Sequence, residues 1–434
     1  MRLTTSELAA ALGARVEGPE VTIDGASIDS RAVAAGQLFV PIVAERDGHD
    51  FIAAAVASGA AAYLTTGPTA GATAIVVDDT LDALQAAGRL ARTRLSPPVV
   101  GVTGSVGKTS VKDLLAAVLA ERLRTAASER SFNNEMGVPL TLLGAPDGTE
   151  AVVVEMGARG VGHIADLCAI ASPTIGIVTR VAAVHTEVFG TIDDVARAKG
   201  ELIEALPPDG CAVLNAADER VAAMAARAVA PVLTYGRGGE VRAASVVTAA
   251  DLTSRFTLLT PSGSVDVALA VRGAHQVENA LAAAAAGVAA GLDLDAVAAG
   301  LGRGVLSPWR MELHAAPSGA TVLNDAYNAN PTSVLAALES LAALAAERRT
   351  AVLGVMAELG DREAADHAAV TARARELGIR TIAVAAPLYG ADVDVASVEE
   401  AVTALGDLDE RDAVLVKGSR VAGLERLAAA LLRP

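Results

Sequence analysis

The segment from residue 99 to residue 110, Val-Val-Gly-Val-Thr-Gly-Ser-Val-Gly-Lys-Thr-Ser, constrains the fold of this chain more than any other. The apolar run 99–102 predicts a buried parallel strand, and a helix is predicted directly after the glycine turn. Backbone N–H groups in such a turn can surround phosphate oxygens, and the helix N-terminus favours negative charge. Lys108 can reach the β- and γ-phosphates of a nucleotide, and the Thr109 hydroxyl can bind Mg²⁺. The residues predicted to bind phosphate are Gly104, Ser105, Val106, Gly107, Lys108, Thr109 and Ser110.

The glycine spacing is shorter than in the general phosphate loop, which has a glycine where this chain has Val102. The chain carries the run Thr103-Gly-Ser-Val-Gly-Lys-Thr instead. A chance glycine turn beside a lysine is the alternative, and the flanking strand and helix weigh against it. The segment therefore predicts a nucleotide-phosphate site.

Charge and composition exclude several classes of protein. The chain has 35 Lys and Arg against 51 Asp and Glu, a net charge of −16, so nucleic acid or an anionic membrane is not its predicted partner. The apolar run 280–292 is too short to cross a bilayer. The N-terminus lacks a secretory apolar region, and two cysteines are too few for a disulfide framework. These features indicate a cytoplasmic protein without membrane insertion.

The alternation of strand and helix signals along 434 residues predicts an α/β protein of three domains. Residues 1–83 are predicted to form a small N-terminal α/β domain. Residues 84–306 are predicted to form a central phosphate-loop ATPase domain with a doubly wound parallel sheet and an antiparallel flap over 241–271. Residues 307–434 are predicted to form a Rossmann-like C-terminal α/β domain, with strands at 320–325, 350–356, 381–385 and 413–416 and a last helix over 420–432.

Three residues of the central unit combine ligand chemistry with positions near strand ends. Glu155 ends the strand 151–155, His185 follows the strand 174–179, and Lys199 lies on the next helix. Open α/β sheets place their ligands at such ends, and Mg²⁺ prefers hard oxygen ligands. A solvated or core residue is the alternative for each, and the phosphate loop in the same sheet favours the metal site.

Five motifs, in this order along the chain, resemble those of the Mur ligase family. They are Thr103-Gly-Ser-Val-Gly-Lys-Thr, Ser131-Phe-Asn-Asn-Glu-Met-Gly-Val-Pro, Glu155-Met-Gly-Ala-Arg-Gly, Ala198-Lys-Gly-Glu and Asn324-Asp-Ala-Tyr-Asn-Ala-Asn-Pro. The second and fifth are similar to those of the members that add D-alanyl-D-alanine. The resemblance implies that ATP phosphorylates the terminal carboxylate of a UDP-N-acetylmuramoyl-tripeptide. The amine of D-alanyl-D-alanine then attacks the acyl phosphate, which completes the muramoyl-pentapeptide precursor of peptidoglycan.

The resemblance also implies roles for residues of the ATP site. Lys108 would hold the β- and γ-phosphates, Thr109 and Glu155 would bind Mg²⁺, and His185 would lie near a second Mg²⁺. Lys199 matches a lysine that relatives carry as a carbamate, with an unmodified lysine in a salt bridge as the alternative. The residues that match nucleotide contacts of the family are Asn279 at the adenine, Arg310 at the γ-phosphate and Asp325 at the ribose.

Further matches concern the other two substrates. Six residues of the first domain match positions around the uridine and its diphosphate: Ser30, Arg31, Arg46, Asp47, Gly48 and His49. Asn133 and Asn134 match residues that hold the sugar nucleotide. Tyr327, Asn328 and Asn330 are expected to face the dipeptide, whereas the loop 417–420 is given no role. The chain departs from the family pattern at Arg180 and at His163.

Other functions stay open at this point. Another Mur-type ligase or a folylpolyglutamate-type ligase would share the reaction but not the substrates. A phosphate-loop regulatory ATPase that forms no bond would share neither. The third residue of the tripeptide, diaminopimelate or lysine, is likewise open, and we expect a monomer.

Overall fold

The N-terminal part of the chain forms a small α/β unit. The structure, a computed structural model, describes residues 1–69, 71–95, 98–182 and 189–433. In the five-stranded sheet of this unit, with strand order β2-β7-β6-β5-β4, β2 runs antiparallel to β7 and the other pairings are parallel. The elements are β1 (Arg2–Thr4), α1 (Thr5–Leu12), β2 (Arg15–Glu17), β3 (Thr22–Asp24), β4 (Ala26–Ser27), β5 (Leu38–Phe39), a 3₁₀ turn (Gly48–Phe51), α2 (Ile52–Ala57), β6 (Ala62–Thr65) and β7 (Thr73–Val76).

The central unit is built on a six-stranded parallel sheet with the order β13-β12-β11-β8-β10-β9. The chain runs from β8 to one side and later to the other, so the strand order reverses at β8. Open α/β sheets bind their ligands at such a reversal. The elements are α3 (Thr80–Thr93), β8 (Val99–Thr103), α4 (Lys108–Ala120), β9 (Thr125–Ala127), α5 (Gly137–Gly144), β10 (Ala151–Glu155), α6 (His163–Ala171), β11 (Ile175–Val178), α7 (Ile192–Glu204), β12 (Cys211–Asn215), α8 (Glu219–Ala223), a 3₁₀ turn (Met224–Arg227) and β13 (Val232–Tyr235).

An antiparallel sheet and two helices complete the central unit. The sheet has the order β14-β15-β16 and corresponds to the predicted flap. The long alanine-rich helix is buried along most of its length, which explains a composition so rich in small apolar residues. The elements are β14 (Arg242–Thr248), β15 (Thr253–Thr260), β16 (Gly263–Arg272), α9 (Gln276–Ala289) and α10 (Leu294–Arg303).

The C-terminal unit has a six-stranded sheet with the order β17-β18-β22-β19-β20-β21, parallel except for β17. The elements are β17 (Glu312–Ala315), β18 (Thr321–Asn324), α11 (Pro331–Ala343), β19 (Arg348–Gly354), a 3₁₀ turn (Gly360–Arg362), α12 (Glu363–Glu376), β20 (Arg380–Val384), a 3₁₀ turn (Pro387–Tyr389), β21 (Val393–Val395), α13 (Val398–Leu405), β22 (Asp412–Lys417), a 3₁₀ turn (Arg420–Ala422) and α14 (Glu425–Leu431). The predicted α/β class and its parallel sheets are confirmed. The predicted last helix begins five residues later than expected, after a 3₁₀ turn and Gly423 in the left-handed region.

One apolar core is continuous from the N-terminal unit into the central unit, and it includes Leu8, Leu38, Leu84, Val138 and Ile164. Helix α3 packs on α5 and α6 so closely that a Cβ on its Gly88 would lie 2.5 Å from the Cβ of Pro139. The predicted boundary between residues 83 and 84 lies inside α3. The boundary between residues 306 and 307 lies in the linker that joins α10 to β17. Among the described residues, no helix is long and apolar enough to cross a membrane.

Candidate active site

The phosphate loop lies at the carboxyl end of β8, and two of its glycines meet neighbouring side chains directly. Gly104 has a φ of +149°, and a Cβ there would lie 1.8 Å from the Thr179 hydroxyl oxygen. Gly107 has a φ of +84°, and a Cβ would lie 2.5 Å from Oδ1 of Asn279. A side chain at either position would be strained and would displace its neighbour. Val102 is buried inside β8, so the loop begins after the strand ends and needs no glycine there.

Hydrogen bonds fix the loop to the end of β11. The Ser105 amide donates to the carbonyl of Arg180 at 2.7 Å, and the Ser105 hydroxyl donates to the carbonyl of Ala182 at 3.1 Å. The Thr179 hydroxyl donates to the carbonyl of Val106 at 2.5 Å. The loop is thus shaped before any ligand arrives, which is what phosphate binding by backbone groups requires.

Lys108 points back across the loop, where its ammonium donates to the carbonyl of Gly104 at 2.8 Å. Burial lowers the pKa of Lys108, the Glu155 carboxylate opposes this effect, and the Arg310 guanidinium adds to it. Two cations and one anion therefore converge at the helix N-terminus. A polyanionic ligand such as a nucleoside triphosphate would complement the positive charge of Lys108, Arg310 and the helix N-terminus.

Glu155 is the buried anion of the site, with 1% of its surface exposed. Its two carboxylate oxygens accept hydrogen bonds from the Thr109 hydroxyl at 2.7 Å and from the Asn133 amide at 2.7 Å. Both donors are neutral, and Glu155 has no ion pair among the described residues. A buried carboxylate beside a hydroxyl is a hard oxygen donor set, so Thr109 and Glu155 fit a magnesium ion that keeps waters or phosphate oxygens as further ligands. In the described part of the chain, no three His, Cys, Asp or Glu side chains cluster as a complete metal cage.

Lys199 is buried in the same cleft, with 3% of its surface exposed. Burial and the nearby Lys108 ammonium hold the pKa of Lys199 well below its ordinary value. Its amine has no hydrogen bond or ion pair to any described residue. Burial therefore favours the neutral amine of Lys199 over its ammonium, and the neutral amine is the nucleophilic form.

Arg310 reaches into this site from the linker to the C-terminal unit. Its guanidinium donates to the Thr109 hydroxyl at 2.9 Å and lies 4.2 Å from the ring centre of Tyr327. The Tyr327 hydroxyl in turn makes a short hydrogen bond with Ser131 of the central unit. Trp309 and Met311 on either side of Arg310 have φ values of 63° and 51°, the left-handed region that side chains rarely adopt. The linker backbone is bent so that the guanidinium lies against the phosphate loop.

Asp325 and Lys417 form a buried ion pair on the C-terminal side of the cleft. The Lys417 ammonium donates to the Asp325 carboxylate at 2.5 Å and to the carbonyl of Asn328 at 2.8 Å. The other Asp325 oxygen accepts from the backbone amide of Met311 at 3.1 Å. Lys417, for which the sequence predicted no role, therefore fixes the segment that carries Asp325 and Asn328.

These side chains line one cleft of about 830 Å³ between the central and C-terminal units. It takes in the phosphate loop, Glu155, Lys199, Asn279 and Arg310. The remaining predicted residues that line it are Asn133, Asn134, Asp325, Tyr327, Asn328 and Asn330. This volume suits a nucleotide together with the reacting ends of other substrates.

Comparison with known proteins shows to which family this chain belongs. The Mur ligase middle domain matches residues 102–287, and the Mur ligase glutamate ligase domain matches residues 309–420. A UDP-N-acetylmuramoyl-tripeptide--D-alanyl-D-alanine ligase from Mycobacterium bovis is 39% identical over 465 residues, with 93% of this chain and 91% of the relative covered. This chain belongs to the Mur ligase family. Mur ligases are ATP-dependent enzymes that form amide bonds.

Solved structures extend the likeness of this Mur ligase to the whole fold. MurF from Acinetobacter baumannii superposes with a TM-score of 0.89 at 30% identity, and the match covers 100% of this chain and 99% of that one. MurF from Thermotoga maritima, solved in complex with ADP, gives a TM-score of 0.81 at 26% identity, with 94% and 96% covered. The three-domain Mur ligase fold is therefore that of this chain.

The residues predicted for the UDP group do not reach the cleft of this Mur ligase. The six are Ser30, Arg31, Arg46, Asp47, Gly48 and His49, and none of them lines it. Arg31 is exposed and pairs with Asp29 at 2.8 Å. Nδ1 of His49 donates to the Asp47 carboxylate at 2.6 Å, and Nε2 accepts from the backbone amide of Thr66 at 3.3 Å. Their assignment to the sugar nucleotide stays a prediction.

The side chains of two predicted substrate residues also accept hydrogen bonds from backbone amides at the starts of helices. The Asn134 side-chain oxygen accepts from the amide of Gly137 at 2.9 Å, at the start of α5. The Asn330 side chain forms a capping box with Ser333 at the start of α11. Neither side-chain amide nitrogen donates a hydrogen bond to a described residue. His185, the predicted neighbour of a second ion, lies outside the described residues.

The sequence analysis assigned no role to Asn215, Tyr235, Gln276 and Glu278, which also line the cleft. Asn215 donates to the carbonyl of Thr179 at 2.9 Å and contacts Glu278 at 2.5 Å, and the Tyr235 hydroxyl donates to the same carbonyl at 3.1 Å. Gln276 accepts from the Asn279 amide at 2.8 Å. Asn215 and Tyr235 end β12 and β13, so the rule that ligands lie at the carboxyl ends of parallel strands would have indicated them. Arg180 lies in the same pocket, 3.5 Å from Glu278, and His163 also lines the cleft.

Proposed function

We propose that this Mur ligase joins D-alanyl-D-alanine to UDP-N-acetylmuramoyl-tripeptide with ATP. The relatives of that name are similar over nearly the whole chain. The observation that carries the proposal is the contact of Arg310 with Thr109, because it closes the phosphate loop with a cation from another unit. A phosphoryl group transferred in this cleft would have Lys108 on one side and Arg310 on the other.

The proposed reaction has two steps. The γ-phosphoryl group passes from ATP to the terminal carboxylate of the tripeptide, so the bond to the β-phosphate breaks and ADP leaves. The amine of D-alanyl-D-alanine then attacks the acyl carbon, and the tetrahedral intermediate expels phosphate as the amine loses a proton. Lys108 and Arg310 neutralise charge on the phosphoryl oxygens, which is the largest contribution that a protein makes to this chemistry.

Metal and lysine chemistry complete the proposed site. Thr109 and Glu155 would hold one Mg²⁺, which supplies charge neutralisation at the β- and γ-phosphates, and His185 would lie near a second. Burial favours the neutral form of the Lys199 amine, the form that reacts with CO₂, and the resulting carbamate would be a carboxylate-like group toward the second ion. Short carboxylates such as formate should then partly restore the activity of Lys199→Ala. A lack of rescue would contradict the carbamate.

The remaining assignments give each unit a substrate. Residues 1–83 would bind the UDP group, with Ser30, Arg31, Arg46, Asp47, Gly48 and His49 around it and Asn133 and Asn134 on the sugar nucleotide. Residues 84–306 would bind ATP, with Asn279 at the adenine and Asp325 of the third unit at the ribose. Residues 307–434 would bind the dipeptide near Tyr327, Asn328 and Asn330. We also propose that the enzyme acts in the cytoplasm as a monomer.

Release of ADP tests the function. The purified chain is incubated with ATP and Mg²⁺, with UDP-N-acetylmuramoyl-tripeptide and D-alanyl-D-alanine together, singly or omitted. We expect sustained release only with both substrates, and mass spectrometry should find the pentapeptide product. If ADP is released at the same rate without either substrate, the chain is a phosphate-loop ATPase and not a ligase. If ADP release requires an amine other than D-alanyl-D-alanine, the chain is a ligase of another class.

A further inference from the structure

The linker to the C-terminal unit is laid along the phosphate-loop helix α4. Arg303 donates to Glu121 at 2.9 Å just beyond the end of α4, and a Cβ on Gly304 would lie 2.7 Å from the Leu114 side chain. The linker then reaches Asp113 and finally Thr109, where Arg310 lies. The position of Arg310 is therefore set by how this linker is fixed to α4.

Asp113 is the group that holds the linker in its last turn before Arg310. Its two carboxylate oxygens accept from the Ser307 backbone amide at 2.7 Å and from the Ser307 hydroxyl at 3.2 Å. The side chain is 11% exposed, so these bonds are largely shielded from water. Thr109 lies four residues before Asp113, hence on the same face of the helix, and Arg310 lies three residues after Ser307. The contacts of Ser307 with Asp113 and of Arg310 with Thr109 thus follow one another along a single segment that packs on α4.

The neighbouring Lys112 connects Asp113 to the segment 128–131 of the central unit, which also borders the cleft. Its ammonium, 2% exposed, pairs with Asp113 at 2.8 Å and donates to the carbonyls of Ser128 at 2.7 Å and Arg130 at 2.8 Å. Those carbonyls precede Ser131, which contacts Tyr327, and the same segment carries Asn133. A buried ion pair adds little net stability because desolvation offsets its attraction, so its geometry is what it contributes here.

We propose that Asp113, paired with Lys112, is a positioning residue that places Arg310 at the phosphate loop. This rests on the proposed function, in which Arg310 neutralises the transferred phosphoryl group. Asp113 touches no reacting atom. It fixes the linker to the helix whose first turn binds phosphate, so that nucleotide binding and the placement of the C-terminal unit share one rigid element.

A double-mutant cycle tests the proposal. In the Arg310 enzyme, Asp113→Ala should lower kcat about 10- to 100-fold, because misplacement of a charged group by about 1 Å costs that much. In the Arg310→Lys background, where the fork of the guanidinium is already lost, the same change should lower kcat less than about twofold. Ser307→Ala keeps the backbone bond to Asp113 and should lower kcat less than about threefold. Asp295→Asn, an exposed carboxylate on α10, is the matched control.

The outcomes separate cleanly. Equal losses of kcat in both backgrounds would overturn the positioning role, since a merely structural residue acts additively. If Asp113→Ala does not fold, Asp113→Asn enters the same cycle, and hydrogen exchange of the 303–310 peptide should be faster in that variant than in Asp295→Asn. Unchanged exchange would also overturn the proposal. Failure of the proposed function would show differently, as a lack of pentapeptide product from the unmodified chain.

Discussion

The phosphate-loop face of the cleft and the residues predicted for the UDP group are built in opposite ways. On the first, Glu155 and Lys199 are almost fully buried, and Thr109 contacts both Glu155 and Arg310 from another unit. On the second, Arg31 is 88% exposed and its partner Asp29 is two residues away in sequence. Phosphoryl transfer needs fixed charges in a dry site, whereas binding a large sugar nucleotide leaves side chains in water until the ligand covers them.

Removal of the phosphate-loop cation should give the largest effect on the buried face. Lys108→Ala should lower kcat by about 10³-fold or more, because the ammonium is lost from the phosphoryl oxygens. Its unfolding temperature should not fall, since a lysine whose pKa is lowered by burial is held at a cost. Steady-state kinetics measures kcat, and thermal unfolding measures the unfolding temperature. Arg122→Ala, beyond the far end of α4, is the control, and activity near that of the control would remove the loop from the mechanism.

The proposed metal site gives the next effect. Glu155→Gln keeps an oxygen for the Thr109 hydroxyl but loses the charge, so the Mg²⁺ concentration for half-maximal activity should rise about 10- to 100-fold. Glu150→Gln is the matched control, because Glu150 lies just before the other end of β10 and its side chain is 43% exposed. Activity is titrated with Mg²⁺ for both variants. Identical titration curves would contradict a role of Glu155 in holding the ion.

The lowered pKa of Lys199 should be detectable in the pH dependence of the free energy of unfolding. Its pKa is lower in the folded chain than the ordinary 10.5, so between the two values the unfolded chain binds more protons and stability rises with pH. In CO₂-free buffer Lys199→Met should therefore be more stable than the unmodified chain at pH 7, and the difference should narrow toward pH 10. Urea unfolding at several pH values measures this. Parallel stability curves would mean that the lysine is charged in the fold.

The exposed face should give the smallest effect, and in a different constant. Arg31→Ala should raise KM for the UDP substrate about fivefold with little change in kcat, because a surface charge contributes about 1 kcal/mol. Arg15→Ala is closely matched: Arg15 is also exposed and pairs with a carboxylate two residues away, Glu17, in the same unit. KM is compared for both variants. An equal KM would end the assignment of Arg31 to the UDP group.

The sequence predicted the buried face well for physical reasons. A strand, a glycine turn and a helix in succession determine where Lys108 and Thr109 lie, and the parallel sheet brings Glu155 beside them. The central strands and the flap follow from apolar runs and period-two alternation. Tyr327, which its motif singled out as a substrate residue, lies where the central and C-terminal units meet.

Several contacts, most of them between residues far apart in the sequence, are not indicated by local sequence pattern. The hold of Asp113 on Ser307 spans 194 residues, and the Lys417–Asp325 pair spans 92. The edge strand β17 was missed although Ser318 and Gly319, the latter at φ 90°, form the turn of its hairpin with β18. The packing of α3 on α5 and α6 is also not indicated by the sequence, since a glycine such as Gly88 inside a helix is expected to weaken the helix rather than to mark a close contact.

The continuous apolar core of the first two units has a consequence for dissection of this enzyme. Leu84 belongs to the same core as Leu8 and Leu38, although it lies past residue 83. A fragment that ended at residue 83 would be cut inside α3 and would leave that core open to water, so the N-terminal unit is not a detachable module. Calorimetry should accordingly find the first two units melting as one cooperative block.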